Sequence, residues 1–289
     1  MNDHVKGLLI TTLGVLLVVP DSLFVKLIVA EPMVTAFWRG VTSGVLILIG
    51  LLVFQGTKGF RAVISGGWPS WIYIILIGST APGFVLAITH TSVANVVFIF
   101  ASMPIFAAVF GRVFLGEPIS RRLVYTMLVV MVGLGIIAYG SGASEVASWK
   151  GDLIALYVAG AYAAALTAVR VVKDISMIPA IPIGYIGVAL VLWPFTAPME
   201  PVATQWHLLA LHGIFIAGAT CFLTLGPRYI SSAEVSLLIL LESVLAPILV
   251  WAVVGEDPGV WAIAGGVVVI GALLVSNLLV LMRGRSRPV

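Results

Sequence analysis

Charge is scarce in this chain, and cysteine is almost absent. Asp, Glu, Lys and Arg make up 9% of its 289 residues, where an average soluble domain carries about 25%. With 61% apolar residues and a mean hydropathy of +1.18, there is too little polar surface to wet a soluble fold. The single cysteine, Cys221, stands inside an apolar run. Alone it forms no intrachain disulfide and no multi-cysteine metal site, so its default role is packing. Also missing are His-Glu-x-x-His, a Walker A loop and a Gly-x-Gly-x-x-Gly fingerprint, the signatures of zinc peptidases, nucleotide hydrolysis and dinucleotide chemistry. No enzyme activity, cofactor or metal is expected. Nor does the net charge of +3 point to nucleic acid, because the Lys and Arg residues are scattered between apolar runs and not gathered on one face.

What is present is hydrocarbon in long runs. A transmembrane helix needs about 20 apolar residues. Runs bounded by Gly, Pro and charge predict ten spans, near 7–28, 33–54, 71–89, 92–114, 123–140, 151–172, 180–197, 207–226, 232–254 and 260–282. The expected fold class is all-α integral membrane, with the lipid bilayer as solvent. Gly7 to Val19 has the look of a signal-peptide core, but no small-residue cleavage site follows and the run resumes from Phe24 to Val29, so it is kept as the first span. Pro20, Pro82, Pro104, Pro194 and Pro247 fall in or near spans. Such breaks are tolerated where neighbouring helices or a water-filled cavity satisfy the freed carbonyls, which hints at a cavity.

Lys and Arg set the orientation. A cytoplasmic N-terminus puts twelve of them (Lys6, Lys58, Arg61, Arg112, Arg121, Arg122, Arg170, Lys173, Arg228, Arg283, Arg285 and Arg287) at cytoplasmic ends and only Lys150 in an outer loop. Both termini are therefore expected in the cytoplasm. The chain also repeats itself. Two Gly-Glu pairs, Gly116-Glu117 and Gly255-Glu256, stand 139 residues apart at the ends of apolar runs, and Ala94 to Glu117 aligns without gaps to Ala233 to Glu256 with five identities in 24 positions. A second register, offset by 144, sets Lys6-Gly7 against Lys150-Gly151 and Lys26 against Arg170. Duplication predicts two five-helix repeats, 1–145 and 146–289. Five crossings each would invert one repeat relative to the other, the layout of carriers that open alternately to either side. The Gly-Glu pairs themselves read as helix ends, the Gly capping and the following Pro turning the chain.

The order of landmarks resembles a known family. A basic residue comes late in the first span (Lys26), then Pro32 and an aromatic-Arg pair opening the second (Trp38-Arg39). The fourth span ends in Phe114-Leu115-Gly116-Glu117-Pro118, and a Gly-rich fifth follows (Gly133, Gly135, Gly140). The second half repeats this through Val253-Val254-Gly255-Glu256-Asp257-Pro258 and Gly265, Gly266, Gly271. Over nearly its whole length the chain resembles the EamA-type permeases of the drug/metabolite transporter superfamily, departing from them in the first span, where Pro20-Asp21 replaces a common Trp-Gly pair. The resemblance implies a ten-helix carrier of the bacterial inner membrane that moves small metabolites, amino-acid export foremost, with organic cations, nucleotide-linked sugars or phosphorylated metabolites as other cargoes. With no nucleotide site, transport would be secondary, with protons a candidate coupling ion. Monomer and homodimer are equally compatible.

Residues that would carry such a function are the polar ones buried in hydrocarbon. Glu242 lies about 11 residues from either end of the ninth span, where a carboxylate costs about 2.5–3.5 kcal/mol on insertion scales. It is either a proton-coupling group or counter-ion for a substrate ammonium, or a protonated residue that glues helices together. Its repeat equivalent is Met103, so any carboxylate site is asymmetric. Asp21, beside Pro20, either faces the cavity or neutralises Lys26 or Arg39. Arg39 is placed to bind a substrate carboxylate, or to snorkel to headgroups or anchor a helix. Ser79 and Thr80 near Pro82, Tyr157 and Tyr162, and Thr220 offer cavity donors or interhelical hydrogen bonds. Asn95 and Glu234 are repeat equivalents, the latter within reach of Arg228. His90 is expected at the outer interface. Gly40 to Gly44 forms a small-residue packing face, within the bundle or between protomers.

Overall fold

The computed structural model describes residues 3–116, 118–119, 121–142, 147–172, 175–225, 229–230 and 232–285, excepting the side chains of 3, 142, 232–237, 277, 280–281 and 283–285. Glu117 of the first Gly-Glu pair, Glu145 with the repeat boundary, Lys173, Arg228 and Arg287 lie outside the described residues, as does any Glu234–Arg228 pairing. Among the described residues every regular element is a helix. They are α1 (Asp3–Val18), α2 (Asp21–Leu27), α3 (Pro32–Phe54), α4 (Lys58–Ser65), α5 (Trp68–His90), α6 (Val93–Phe100), α7 (Met103–Leu115), α8 (Arg121–Gly142), α9 (Trp149–Val171) and α10 (Ala180–Leu192). A 3-10 turn at Trp193–Phe195 continues α10, and α11 (Val202–Leu225), α12 (Ser232–Val254) and α13 (Val260–Arg285) complete the chain.

Seven apolar stretches are long enough to cross a bilayer: His4–Leu27, Pro32–Phe54, Trp68–His90, Val93–Leu115, Arg121–Ser141, Trp149–Val171 and Val202–Leu225. Three shorter ones, Ala180–Phe195, Leu238–Val254 and Val260–Ser276, join them. Their outward faces are hydrocarbon: Leu46, Ile49, Leu52 and Val53 on α3 and Leu128, Met131 and Val132 on α8 are exposed. Trp68, Trp149, Trp193, Trp206 and Trp261 stand exposed near helix ends, where amphipathic rings sit at a headgroup boundary.

Two spans of the first half are broken. Pro20 offers no N–H to the helix ladder, so α1 yields to α2 through a turn, with Val19 N bonded to Val15 O at 3.1 Å and Phe24 N to Pro20 O at 2.9 Å on either side. The break between α6 and α7 falls at Ala101-Ser102, and Pro104 sits in the first turn of α7. Pro82 and Pro247, by contrast, are carried inside continuous helices. Gly116 and Gly255 end α7 and α12 with φ of +70° and +77°, the left-handed cap that a side chain would strain. The short helix α4 was expected only as a connection. It folds because Val63, fully buried, gives it one apolar side while Lys58 and Arg61 face out.

Packing follows a twofold pattern. Contacts of α5 with α9 are matched by those of α1 with α11, α10 with α5 by α11 with α3, and α7 with α9 by α12 with α1. The pairs α3 with α10 and α8 with α13 each join elements that occupy the same place in the two halves. Bare backbones make the closest of these crossings. A Cβ on Gly78 would stand 2.7 Å from the Gly184 carbonyl oxygen, and one on Gly40 would stand 2.9 Å from that of Tyr185. Gly40 and Gly44 thus pack on α10 inside the bundle.

Candidate substrate site

The break at Pro20 makes Asp21 the first residue of α2 and turns its side chain inward, to 2% exposure. Arg39, on α3, grips it with two prongs: Nε donates to Oδ1 at 3.0 Å and Nη2 to Oδ2 at 2.6 Å. His212, on α11 and 1% exposed, brings Nε2 to 2.6 Å from the same Oδ1. An oxygen that already accepts from Arg39 has a lone pair to offer and no proton, so the histidine Nε2–H is the donor. Phe24 stacks on the imidazole, with centroids 5.3 Å apart and planes at 22°, and the Arg39 guanidinium lies 5.3 Å over the Phe84 ring. The Ser43 hydroxyl bonds the Arg39 carbonyl oxygen. Charges this deep persist only when paired and hydrogen-bonded, and here each is.

Beside this triad lies a cavity of about 140 Å³. Asp21 and Arg39 form part of its wall, with Thr80 and Phe84 of α5, Phe100 of α6, Tyr162 of α9, Tyr185 of α10 and Glu242 of α12. Met103, the repeat equivalent of Glu242, lines it too. Most other wall atoms are apolar, from Val18, Val97, Val158, Ala159, Leu223 and Ile239. The Thr80 and Ser243 hydroxyls are already spent: Thr80 Oγ1 donates to Ile77 O at 2.6 Å and Ser243 Oγ to Val97 O at 3.2 Å. Glu242 is partly exposed, and none of the described residues forms a hydrogen bond or salt bridge with it.

The cavity thus gathers Asp21, Arg39, Thr80, Tyr162 and Glu242 from the residues singled out in the sequence. Others stand apart from it. Lys26 lies at the bundle end away from the N-terminus, with Nζ 2.7 Å from Glu256 Oε2, because the α2 helix carries it past the cavity. Trp38 turns away from Arg39 on the helix and donates Nε1–H to Pro198 O at 2.6 Å. Ser79 and Tyr157 meet each other at 2.9 Å on an exposed flank of α5 and α9. Thr220 is not part of the wall, and its carbonyl accepts from Thr224 Oγ1 at 2.7 Å. His90 is exposed at a helix end and bonded to Leu86 O at 2.8 Å. Sequence reasoning missed His212, Phe84, Phe100 and Tyr185. The histidine had a signal, being an ionisable residue deep in an apolar run, as Glu242 is; the aromatic rings had none.

The same far end of the bundle holds several polar ties between the two halves. Glu256 takes Lys26 on one oxygen and, on Oε1, the Val93 N–H that opens α6, at 2.7 Å. Gln205 pairs with both backbone groups of Val29, at 2.8 and 2.9 Å. Asp152 is buried among donors: Thr91 Oγ1 at 2.7 Å, Asn95 Nδ2 at 3.0 Å and Ser141 Oγ at 2.5 Å. This network is fully satisfied, so it locks geometry at little cost.

The family model of the EamA-like transporter family matches residues 5–139 and again 149–278. Among curated proteins none matches. Chains of known structure do, one of them described only as the crystal structure of a protein, which is 16% identical over 98% of this chain and 100% of its own, with a TM-score of 0.66. At that identity the likeness concerns the fold alone. The two family matches, which cover both halves, carry the assignment: the chain belongs to the EamA-like transporter family and is a multi-pass membrane transporter of small molecules.

Proposed function

We propose that the protein is a secondary active transporter that moves small metabolites, amino acids outward foremost, across a bacterial inner membrane by alternating access. The observation that carries this reading is the cavity between the two halves, near mid-span, walled by residues from both copies of the family domain. The three shorter apolar stretches count as spans beside the seven long ones, giving ten in two inverted groups of five with both termini cytoplasmic. The far end of the bundle is then the outside.

In this reading the contacts of Lys26, Glu256, Val93, Gln205 and the Asp152 network bar the outer route to the cavity. Opening outward requires breaking them. The triad of Asp21, Arg39 and His212 ties α2 and α3 to α11 across the halves and keeps the inner wall in register. Glu242 is the carboxyl group facing the cavity that can exchange a proton, which makes protons the coupling ion of this scheme. A carrier of organic cations is the second reading, favoured by one fact: Arg39, the residue that would receive a carboxylate, is already held by Asp21.

Counterflow tests the carrier reading. Purified protein in proteoliposomes loaded with a mixture of unlabelled amino acids and amines should concentrate at least one labelled member from outside. Correctly folded protein that accumulates none overturns it.

A further inference from the structure

We propose that the cavity recognises its cargo by a cationic amino group, seated between Glu242 and the surrounding aromatic rings, with no carboxylate required on the cargo. The proposal rests on the carrier reading and narrows it to ammonium-bearing molecules, whether amines or amino acids.

The charged groups of the wall are Asp21, Arg39 and Glu242. Arg39 and Asp21 are joined through two hydrogen bonds, 3.0 and 2.6 Å, and the open face of the guanidinium lies over Phe84. The charge of the one cation of the wall is therefore already balanced, and an arriving carboxylate would compete with Asp21 for it. Glu242 is in the opposite situation, a carboxyl group in the same wall without a partner among the described residues. An ammonium placed against it gains a charge-assisted bond in a site of low polarity, where such bonds are strongest. An acid placed there meets like charge.

The rest of the wall favours the same ligand. Phe84 and Phe100, with centroids 5.5 Å apart at 46°, and Tyr162 and Tyr185 bring four aromatic rings to one small space. Ring faces attract desolvated cations, and amine sites in general combine them with one acid. The Thr80 and Ser243 hydroxyls point into their own or a neighbouring backbone, so of the wall's hydroxyls only those of Tyr162 and Tyr185 are left to donate to a carboxylate. At about 140 Å³ the space suits a compact amine with an apolar body, and Val18, Val97, Val158 and Ile239 meet that body.

The experiment compares molecules that share a body and differ in charge. L-leucine, isopentylamine and 4-methylpentanoate form one set; L-phenylalanine, 2-phenylethylamine and 3-phenylpropionate form a second. Binding to the purified protein is read by thermal shift and by intrinsic fluorescence. In at least one set the amine should bind at least as well as the amino acid, and the acid not at all. Glu242→Gln should weaken amine binding by about tenfold or more, and Phe100→Leu by a smaller factor. An acid that binds, an amino acid that binds where its amine does not, no binding in either set, or a folded Glu242→Gln protein with unchanged amine affinity would each overturn the proposal. The wild-type comparison holds even if the Gln variant fails to fold. Counterflow separates the two levels: a carrier that exchanges some other cargo survives the loss of this proposal, and a protein that exchanges nothing loses both.

Discussion

Asp21 joins three helices through one carboxylate, with Arg39 of α3 on both oxygens and His212 of α11 on one of them. Removing one member of so buried a pair strands the other, at a cost of about 3–5 kcal/mol. Arg39→Ala should therefore lower the thermal unfolding temperature in detergent markedly. Asp21→Asn combined with Arg39→Met should recover much of the loss, because neither charge is then left unpaired; equal losses in the single and double variants would show that the pair contributes no electrostatic coupling. The sequence exposed Asp21 and Arg39 as ionisable groups in hydrocarbon, and Glu242 likewise. It did not pair them. Lys26 and Arg39 were equal candidates for Asp21 because spacing along the chain does not report which turn faces inward past a proline break, and His212 lies 191 residues from its partner.

Seven spans were legible at the scale of elements because their apolar runs are long and their ends are marked by Gly, Pro or charge. Pro20 broke its helix as expected, while Pro82 and Pro247 did not, since local adjustment and neighbouring helices can satisfy the backbone groups that a proline frees. The short helix α4 escaped notice because its apolar face is a single turn wide. Crossings between helices depend on glycine at particular places, and the difference is testable. Gly78 meets the Gly184 backbone, whereas Gly50 on α3 has nothing within 4 Å of an added Cβ. Gly78→Ala should destabilise by about 1–3 kcal/mol through overpacking, while Gly50→Ala should be neutral or stabilising by helix propensity. Thermal unfolding of the two variants side by side checks this, and equal effects would mean the α5–α10 contact is looser than described.

Viewed as a whole molecule, the chain shows its duplication more plainly in space than in sequence. Five identities in 24 aligned positions were a faint signal, because apolar helices match by chance; the family model matches both halves separately, and the helix contacts fall into equivalent pairs. The symmetry fails where the cavity is, at Glu242 and Met103, and the aromatic wall could not be read from the sequence because its rings come from helices far apart in the chain. In the proposed scheme this one cavity is reached alternately from the two faces. Ala159→Cys, in a Cys221→Ala background, puts one thiol in its wall. A membrane-impermeant thiol reagent applied to either side of sealed vesicles should label that thiol from both faces. Glu256→Gln, which removes the charge that pairs with Lys26, should increase labelling from outside at the expense of labelling from within. Labelling from one face only, unchanged by Glu256→Gln, would contradict the account.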